Sequence, residues 1–199
     1  MRKLIASVFI FFSLSLFAQT EQDPSKYLKG IADKMIAVIQ TNKEALKTDT
    51  NLAKSLVIEH LLPVIDTQTF AQRTLGSKTW NTLSEKQQKA FVDGYIQRVI
   101  DKYAKGLSLY DGHAFEFDKA EFSQRTGAAR VRSTMIQTGT DPLDIDYYLS
   151  KESGSWLITN IIVAGVDMRK SYRQQFGPRI NEVGIDEFIK ELSDPAKSN

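Results

Sequence analysis

One segment decides the fold class: residues 143–150 read Leu-Asp-Ile-Asp-Tyr-Tyr-Leu-Ser. Apolar and polar side chains alternate along it. This alternation is typical of a β-strand with one buried face, because successive side chains of a strand point to opposite sides of its sheet. The face that we predict to be buried carries Leu143, Ile145, Tyr147 and Leu149.

The neighbouring segments extend this strand into a sheet. Residues 114–118, 128–138 and 155–163 are also predicted to be strands, with turns at residues 138–142 and at Ser153-Gly154. The connections between these strands are too short for a helical crossover, so neighbouring strands must pair antiparallel.

The residues on either side of the sheet follow a helical period instead. Asp23-Pro24 would cap and begin the first helix, and Ser84 with Gln87 forms a capping box for the longest one. Helices are predicted at residues 24–39, from about 51 to 62, at 67–75, 85–107, 168–176 and 185–192. Helices, sheet and helices in this order predict an α+β fold in which helices cover one face of a curved antiparallel sheet.

The first eighteen residues are typical of a secretory signal peptide. Arg2 and Lys3 precede residues 4–18, which carry no charge and are too few to span a bilayer comfortably. We therefore expect cleavage after Ala18 rather than a membrane anchor, and a single mature domain of residues 19–199. A secreted domain without cysteine suits the periplasm, because it cannot rely on disulfides for stability.

The composition excludes several classes of function. The chain has 199 residues, 26 Lys and Arg against 24 Asp and Glu, and no cysteine. Loss of Arg2 and Lys3 with the signal peptide would leave equal numbers of both signs. A balanced charge argues against a nucleic-acid partner, and the missing cysteines exclude thiolate metal sites and thiol nucleophiles. We expect a monomer without a cofactor or a metal.

Candidates for catalysis are few. His60 and His113 are the only histidines and have no metal-ligand spacing, while Asp144 and Asp146 fall on the polar face of their strand. An enzyme remains the alternative: it would use Tyr103 or Tyr147 as a hydrogen-bond donor and a pocket-facing carboxylate as its base. From spacing alone, the apolar face of the long helix packs on the sheet as a core, although a pocket lining would have the same pattern.

Several stretches, taken in order, resemble the MlaC (toluene tolerance) family of periplasmic phospholipid carriers. They are Leu61-Leu62-Pro63, Leu75-Gly76, and residues 83–91, 103–107, 165–168, 172–176 and 184–189. The resemblance covers most of residues 25–192. Gly177-Pro178 departs from the family pattern, because it interrupts a region where the family continues a helix.

The resemblance implies a nuclear-transport-factor-like cone whose helices and curved sheet enclose a deep apolar pocket. Family members hold phospholipid tails there and shuttle the lipid between an outer-membrane lipoprotein–porin complex and an inner-membrane transporter with MCE-domain subunits, which maintains outer-membrane lipid asymmetry. We predict that the tails contact Tyr103, Leu107, Leu143, Ile145, Tyr147, Ile161, Val163, Val166, Met168 and Tyr172. A basic cluster at the pocket mouth, predicted to contact the headgroup or a partner, comprises Arg169, Lys170, Arg173 and Arg179.

Overall fold

The computed structural model describes residues 23–137, 139–152 and 154–194. The predicted signal peptide, residues 1–18, and the predicted turn residues Thr138 and Ser153 lie outside the described residues. Within the described ranges, no helix combines the length and the apolar character needed to cross a membrane.

The described part of the chain contains six strands in one sheet, in the order β1-β3-β4-β5-β6, with β2 paired to β3. Every pairing is antiparallel, and Ile145 of the central strand stands opposite Ser133 on one side and Val163 on the other. The strands are β1 (Ala114–Phe117), β2 (Glu121–Phe122), β3 (Ala129–Ile136), β4 (Leu143–Glu152), β5 (Ser155–Val163) and β6 (Val166–Asp167).

Eight α-helices are found among the described residues, six before the sheet and two after it. They are α1 (Pro24–Thr41), α2 (Lys43–Leu46), α3 (Thr50–His60), α4 (Thr67–Leu75), α5 (Ser77–Trp80), α6 (Glu85–Ala104), α7 (Met168–Val183) and α8 (Ile185–Leu192). Short 3-10 helices span Leu62–Val64 and Lys105–Leu109. The predicted α+β fold, with helices packed on an antiparallel sheet, is confirmed. Sequence patterns missed α2, α5, β2 and β6, because elements of two to four residues are too short to show a period.

Two helix starts follow directly from the sequence. The Asp23 carboxylate accepts hydrogen bonds from the backbone N–H groups of Ser25, at 2.8 Å, and Lys26, at 3.2 Å. At the start of α6, the Ser84 hydroxyl accepts from the N–H of Gln87, whose side-chain oxygen accepts from the N–H of Ser84. Both caps satisfy backbone donors that the first helical turn leaves unpaired, and both were predicted.

Two helix ends differ from the prediction. The helix α6 ends at Ala104 and continues only as a 3-10 helix to Leu109. The expected break at Gly177-Pro178 is wrong, since α7 runs through both residues to Val183. Pro178 removes one backbone donor. Phe176 before it and Ile180 after it pack against the same apolar cluster, which keeps the two halves of the helix in line.

An aromatic cluster joins α4, α6, α7 and α8. Tyr95 is fully buried at its centre, with ring centroids 5.1 Å from Tyr172, 5.5 Å from Phe176 and 5.9 Å from Phe91. The aromatic members are Phe70, Trp80, Phe91, Tyr95, Tyr172, Phe176 and Phe188. Separate apolar clusters lie between α1, α3 and α6, and between α1 and the sheet. The helices are therefore held to the sheet at several distinct places rather than by one continuous core.

The contact between α6 and α8 gives a test of this packing. A Cβ atom on Gly94 would stand 2.9 Å from the Cβ of Leu192 and 3.3 Å from its carbonyl carbon. We expect Gly94→Ala to lower the free energy of unfolding by about 1–3 kcal/mol in a urea titration, because a packed backbone cannot move aside. Gly30→Ala is the matched control: Gly30 is exposed on α1, and a Cβ atom there would meet no atom within 4 Å outside its own helix backbone, so alanine should stabilise the helix by up to about 1 kcal/mol. Equal effects at both positions would contradict the close contact.

Candidate functional site

In the described part of the chain, two apolar cavities lie between the helices and the sheet. The first, of about 600 Å³, is bounded by α1, the segment from Gly106 to His113 and strands β1, β3, β4 and β5. The second, of about 490 Å³, is bounded by α3, α6, the end of β5 and the start of α7. Both volumes fall within the range of about 300–1,000 Å³ that is usual for small-molecule pockets.

The apolar face of α1 forms one wall of the first cavity. Its lining side chains recur at helical spacing and are Leu28, Ile31, Ala32, Met35, Ile36 and Ile39. None of these residues was among the predicted tail contacts, and Leu28, Met35 and Ile39 also belong to the buried core. Across the cavity stand Phe115, Phe117 and Tyr147 from the sheet. Tyr147 is the one predicted tail contact that lines this cavity alone.

The second cavity brings together most of the predicted tail contacts. Seven of the ten line it: Tyr103, Leu107, Ile161, Val163, Val166, Met168 and Tyr172. Tyr103 is 44% exposed and Val166 is 55% exposed, so these two side chains mark where the cavity meets the surface. The geometry groups these residues as the sequence did, and contact with a lipid stays a prediction.

Four side chains line both cavities and form the wall between them: Leu61, Ile65, Leu107 and Ile161. The segment around Pro63 places two of them. Pro63 stops α3, and the chain then turns so that Ile65 bridges Ile158 of β5, with the N–H of Asp66 donating to the carbonyl of Ile158 at 3.0 Å. The sequence analysis used Pro63 as the end of a helix and as part of the family resemblance, and it missed this wall, although the apolar residues on both sides of the proline were a visible signal.

Leu143 and Ile145 line neither cavity, which is a correction to the prediction. Both are half-buried on β4. Alternation identifies the face of a strand on which a side chain lies, but it does not say how far along that strand a cavity extends. The cavity walls on the sheet instead include Tyr147, Ile158, Ile161 and Val163.

The polar groups in the two linings are mostly phenols. Burial raises the pKa of Tyr147 and of Tyr172 above the ordinary tyrosine value, so both hydroxyls stay protonated and can donate hydrogen bonds. Among the described residues that line the two cavities, none is Asp or Glu. His113, predicted to lie in a turn, lines the first cavity with its backbone carbonyl accepting from the Tyr110 hydroxyl at 3.2 Å.

The two aspartates of β4 lie on the other face of the sheet, as alternation predicts. The side chain of Asp144 accepts from the Thr134 hydroxyl at 3.2 Å, and that of Asp146 pairs with Arg130 at 3.0 Å. The alternative of an enzyme required a carboxylate base inside the pocket. These contacts direct both carboxylates away from the cavities, so neither can serve as that base.

Three of the four predicted basic residues meet in one small polar pocket beside the second cavity. This basic pocket is lined by Arg73, Gly76, Ser77, Asp167, Arg169, Lys170 and Arg173. Arg169 lies 3.7 Å from Asp167, and burial lowers its pKa. The guanidinium of Arg173 donates to the backbone carbonyls of Arg73 and Thr74, so it also caps the end of α4. The exposed side chains of Arg73 and Lys170 pair with no carboxylate among the described residues.

Arg179 does not belong to this pocket, which corrects its assignment to the basic cluster. Its guanidinium donates to Glu182 at 2.7 Å and to both carboxylate oxygens of Glu191 on α8. Residues 169 and 173 are four apart and share a helix face, whereas residue 179 is a further six residues along, about one and two-thirds turns. Arg179 therefore fastens α7 to α8.

Comparisons with known proteins match the chain along most of its length. The sequence profile of the MlaC protein family matches residues 29–194. The intermembrane phospholipid transport system binding protein MlaC of Haemophilus influenzae is 25% identical over 196 residues, which cover 97% of this chain and 91% of that protein. The toluene tolerance protein Ttg2D of Pseudomonas putida is 24% identical over 187 residues, which cover 93% and 84%.

The fold is similar to a solved structure. The phospholipid-binding protein from Ralstonia solanacearum, determined in complex with a phospholipid, superposes with a TM-score of 0.75 at 22% sequence identity. The match covers 87% of this chain and 100% of that one.

The wall between the cavities predicts that they fill independently. Ala32 lines only the first cavity and Val99 only the second. We expect Ala32→Phe and Val99→Phe each to remove one of two sites for a small apolar dye, because the added ring occupies the cavity. A fluorescence titration measures the number of dye molecules per chain, and Ala45→Phe on the exposed helix α2 is the matched control. Loss of both sites in either variant would mean that the cavities are one compartment.

Proposed function

The chain belongs to the MlaC protein family, and on that premise we propose that it is a periplasmic phospholipid carrier. The observation that carries this proposal is the pair of apolar cavities that open at the surface beside a basic pocket. The names of the two sequence relatives and of the similar structure support it. The proposed function involves no chemical step and requires no cofactor.

The free energy of exposing acyl chains to water explains why apolar cavities are enough for a lipid carrier. A diacyl phospholipid with about 30 methylene groups would expose tails at a cost of roughly 24 kcal/mol in water, at about 0.8 kcal/mol for each methylene. Free diffusion between membranes is therefore extremely slow. If the cavity lining is as apolar as the bilayer interior, the free energy of moving a lipid between membrane and carrier is close to zero. The partner complexes can then set the direction of transfer.

We assign one acyl chain to each cavity. The second cavity would hold one chain against Val163, Met168 and their neighbours, and the first would hold the other against Tyr147 and the apolar face of α1. Leu107 and Ile161 belong to both linings and would lie between the two chains. The two tails of one phospholipid diverge from a single glycerol, which suits two compartments that share a wall.

We further propose that the carrier moves between an outer-membrane lipoprotein–porin complex and an inner-membrane transporter with MCE-domain subunits, and so maintains outer-membrane lipid asymmetry. The basic pocket supports a docking or headgroup role for Arg169, Lys170 and Arg173. Because the mature chain would have no net charge, attraction to a partner must come from a local patch such as this one. Export through the predicted signal peptide would bring the chain to the periplasm.

The first test is the identity of the cargo. Chloroform extraction of the purified full chain and mass spectrometry should find phospholipid, and the lipid-free chain should take it up from liposomes. Val163→Trp should abolish this occupancy, since an indole that projects into the second cavity obstructs the path of the acyl chain. The control is Tyr148→Trp on β4, whose side chain lies on the other face of the sheet and lines neither cavity, so this variant should keep its lipid. Absence of phospholipid after both extraction and liposome uptake would overturn the proposed function.

The second test addresses docking. We expect the double variant Arg73→Glu and Lys170→Glu to load lipid normally but to transfer it more slowly to liposomes containing either partner complex, with a weaker dependence on salt. Arg173 is unsuitable for this test, because its loss would also release the carbonyls at the end of α4. Lys34→Glu, an exposed change on α1, is the control. Unchanged transfer by the double variant would remove the basic pocket from docking.

A further inference from the structure

Tyr172 combines a buried ring with a hydroxyl that has no partner. Its side chain lines the second cavity, and the residue is only 3% exposed. The hydroxyl makes no hydrogen bond of normal geometry to any residue in the described part of the chain, although the Tyr103 phenol lies close enough to contribute to its raised pKa. Burial of a hydroxyl without a partner costs stability, and buried polar groups in proteins are nearly always paired. We therefore expect a bound ligand to accept a hydrogen bond from this hydroxyl.

Packing holds the Tyr172 ring in place. Its centroid is 5.1 Å from Tyr95 and 5.4 Å from Phe176 in the aromatic cluster. A phenylalanine would make the same ring contacts without the unpaired hydroxyl, so packing does not explain why a tyrosine stands here. The rigid support fixes the hydroxyl in one position, as a binding site requires.

A positive charge lies beside the Tyr172 ring. The ammonium of Lys102 is 5.6 Å from the centre of the Tyr172 ring and 5.5 Å from that of Tyr103, which is exposed at the cavity mouth. Lys102 forms no ion pair with a carboxylate among the described residues. Apolar side chains, a phenol donor and a cation thus lie near one another at this part of the cavity.

A glycerophospholipid offers a partner for each of these groups: methylenes, an ester carbonyl and a phosphate. We propose that the Tyr172 hydroxyl donates a hydrogen bond to the ester carbonyl of the acyl chain in the second cavity, while Lys102 faces the phosphate. This inference rests on the proposed function and adds a specificity to it: the protein distinguishes ester-linked from ether-linked chains. Tyr172 then contacts the ester rather than the tail.

The test compares two lipids that differ only at this group. Diacyl phosphatidylglycerol has ester carbonyls, and dialkyl phosphatidylglycerol of equal chain length has ether oxygens instead. Equilibrium binding to the lipid-free full chain should be about fivefold tighter for the diacyl lipid, as for one neutral hydrogen bond. In Tyr172→Phe the two lipids should bind equally. Tyr148→Phe on the outer face of the sheet is the control and should keep the preference.

Two more measurements separate this role from a merely structural one. Lipid-free Tyr172→Phe should be at least as stable as the parent chain in urea, because it loses an unpaired buried hydroxyl, and yet it should bind the diacyl lipid more weakly. Lys102→Gln should weaken binding of both lipids alike. A preference that persists in Tyr172→Phe, or that the parent chain lacks, would overturn this inference alone. If the parent chain binds neither lipid, the proposed function fails as well.

Discussion

The packing of aromatic rings around Tyr95, mostly edge to face, is the interaction on which the rest of the structure depends. Tyr95 is fully buried, its hydroxyl lies 3.3 Å from that of Thr74 on α4, and its ring contacts Phe91, Tyr172 and Phe176. These rigid side chains fasten α4, α6 and α7 to one another at close distance. Because this cluster supplies dense packing in one place, the helices can stand away from the sheet elsewhere without loss of the fold.

The volume of the cavities determines whether they can be sealed and empty in a stable fold. At about 24 cal/mol for each Å³, a sealed void of 600 Å³ would cost about 14 kcal/mol, as much as the whole stability of an ordinary domain. The cavities must therefore be open to the surface or filled. Leu109 is 71% exposed at the first cavity and Val166 is 55% exposed at the second, and these apolar side chains mark the openings. A lipid that fills both cavities would stabilise the native state by mass action.

Helix α7 connects the parts of the site. Met168 and Tyr172, four residues apart, face the second cavity, while Arg169 and Arg173, also four apart, face the basic pocket. Arg179 then binds the carboxylate of Glu191 on α8. One helix therefore carries residues of the second cavity, of the basic pocket and of the contact with α8. A rigid helix holds these three groups at fixed distances from one another, which a flexible loop would not do as well.

The sequence by itself determined the α+β class, the helix caps, the apolar face of each helix and strand, and the resemblance to a family. These features depend on side-chain period and on neighbours a few residues away. Only the tertiary structure decided whether an apolar face is core or cavity lining, since that depends on the distance between elements. Leu28 and Val163 follow the same apolar pattern as residues that line no cavity. Arg173 contacts the end of α4 and Arg179 contacts α8, and both contacts depend on where these helices pack. The turn at Pro63 and the bridge from Ile65 to Ile158 create the wall between the cavities, and such long-range placement has no local signature.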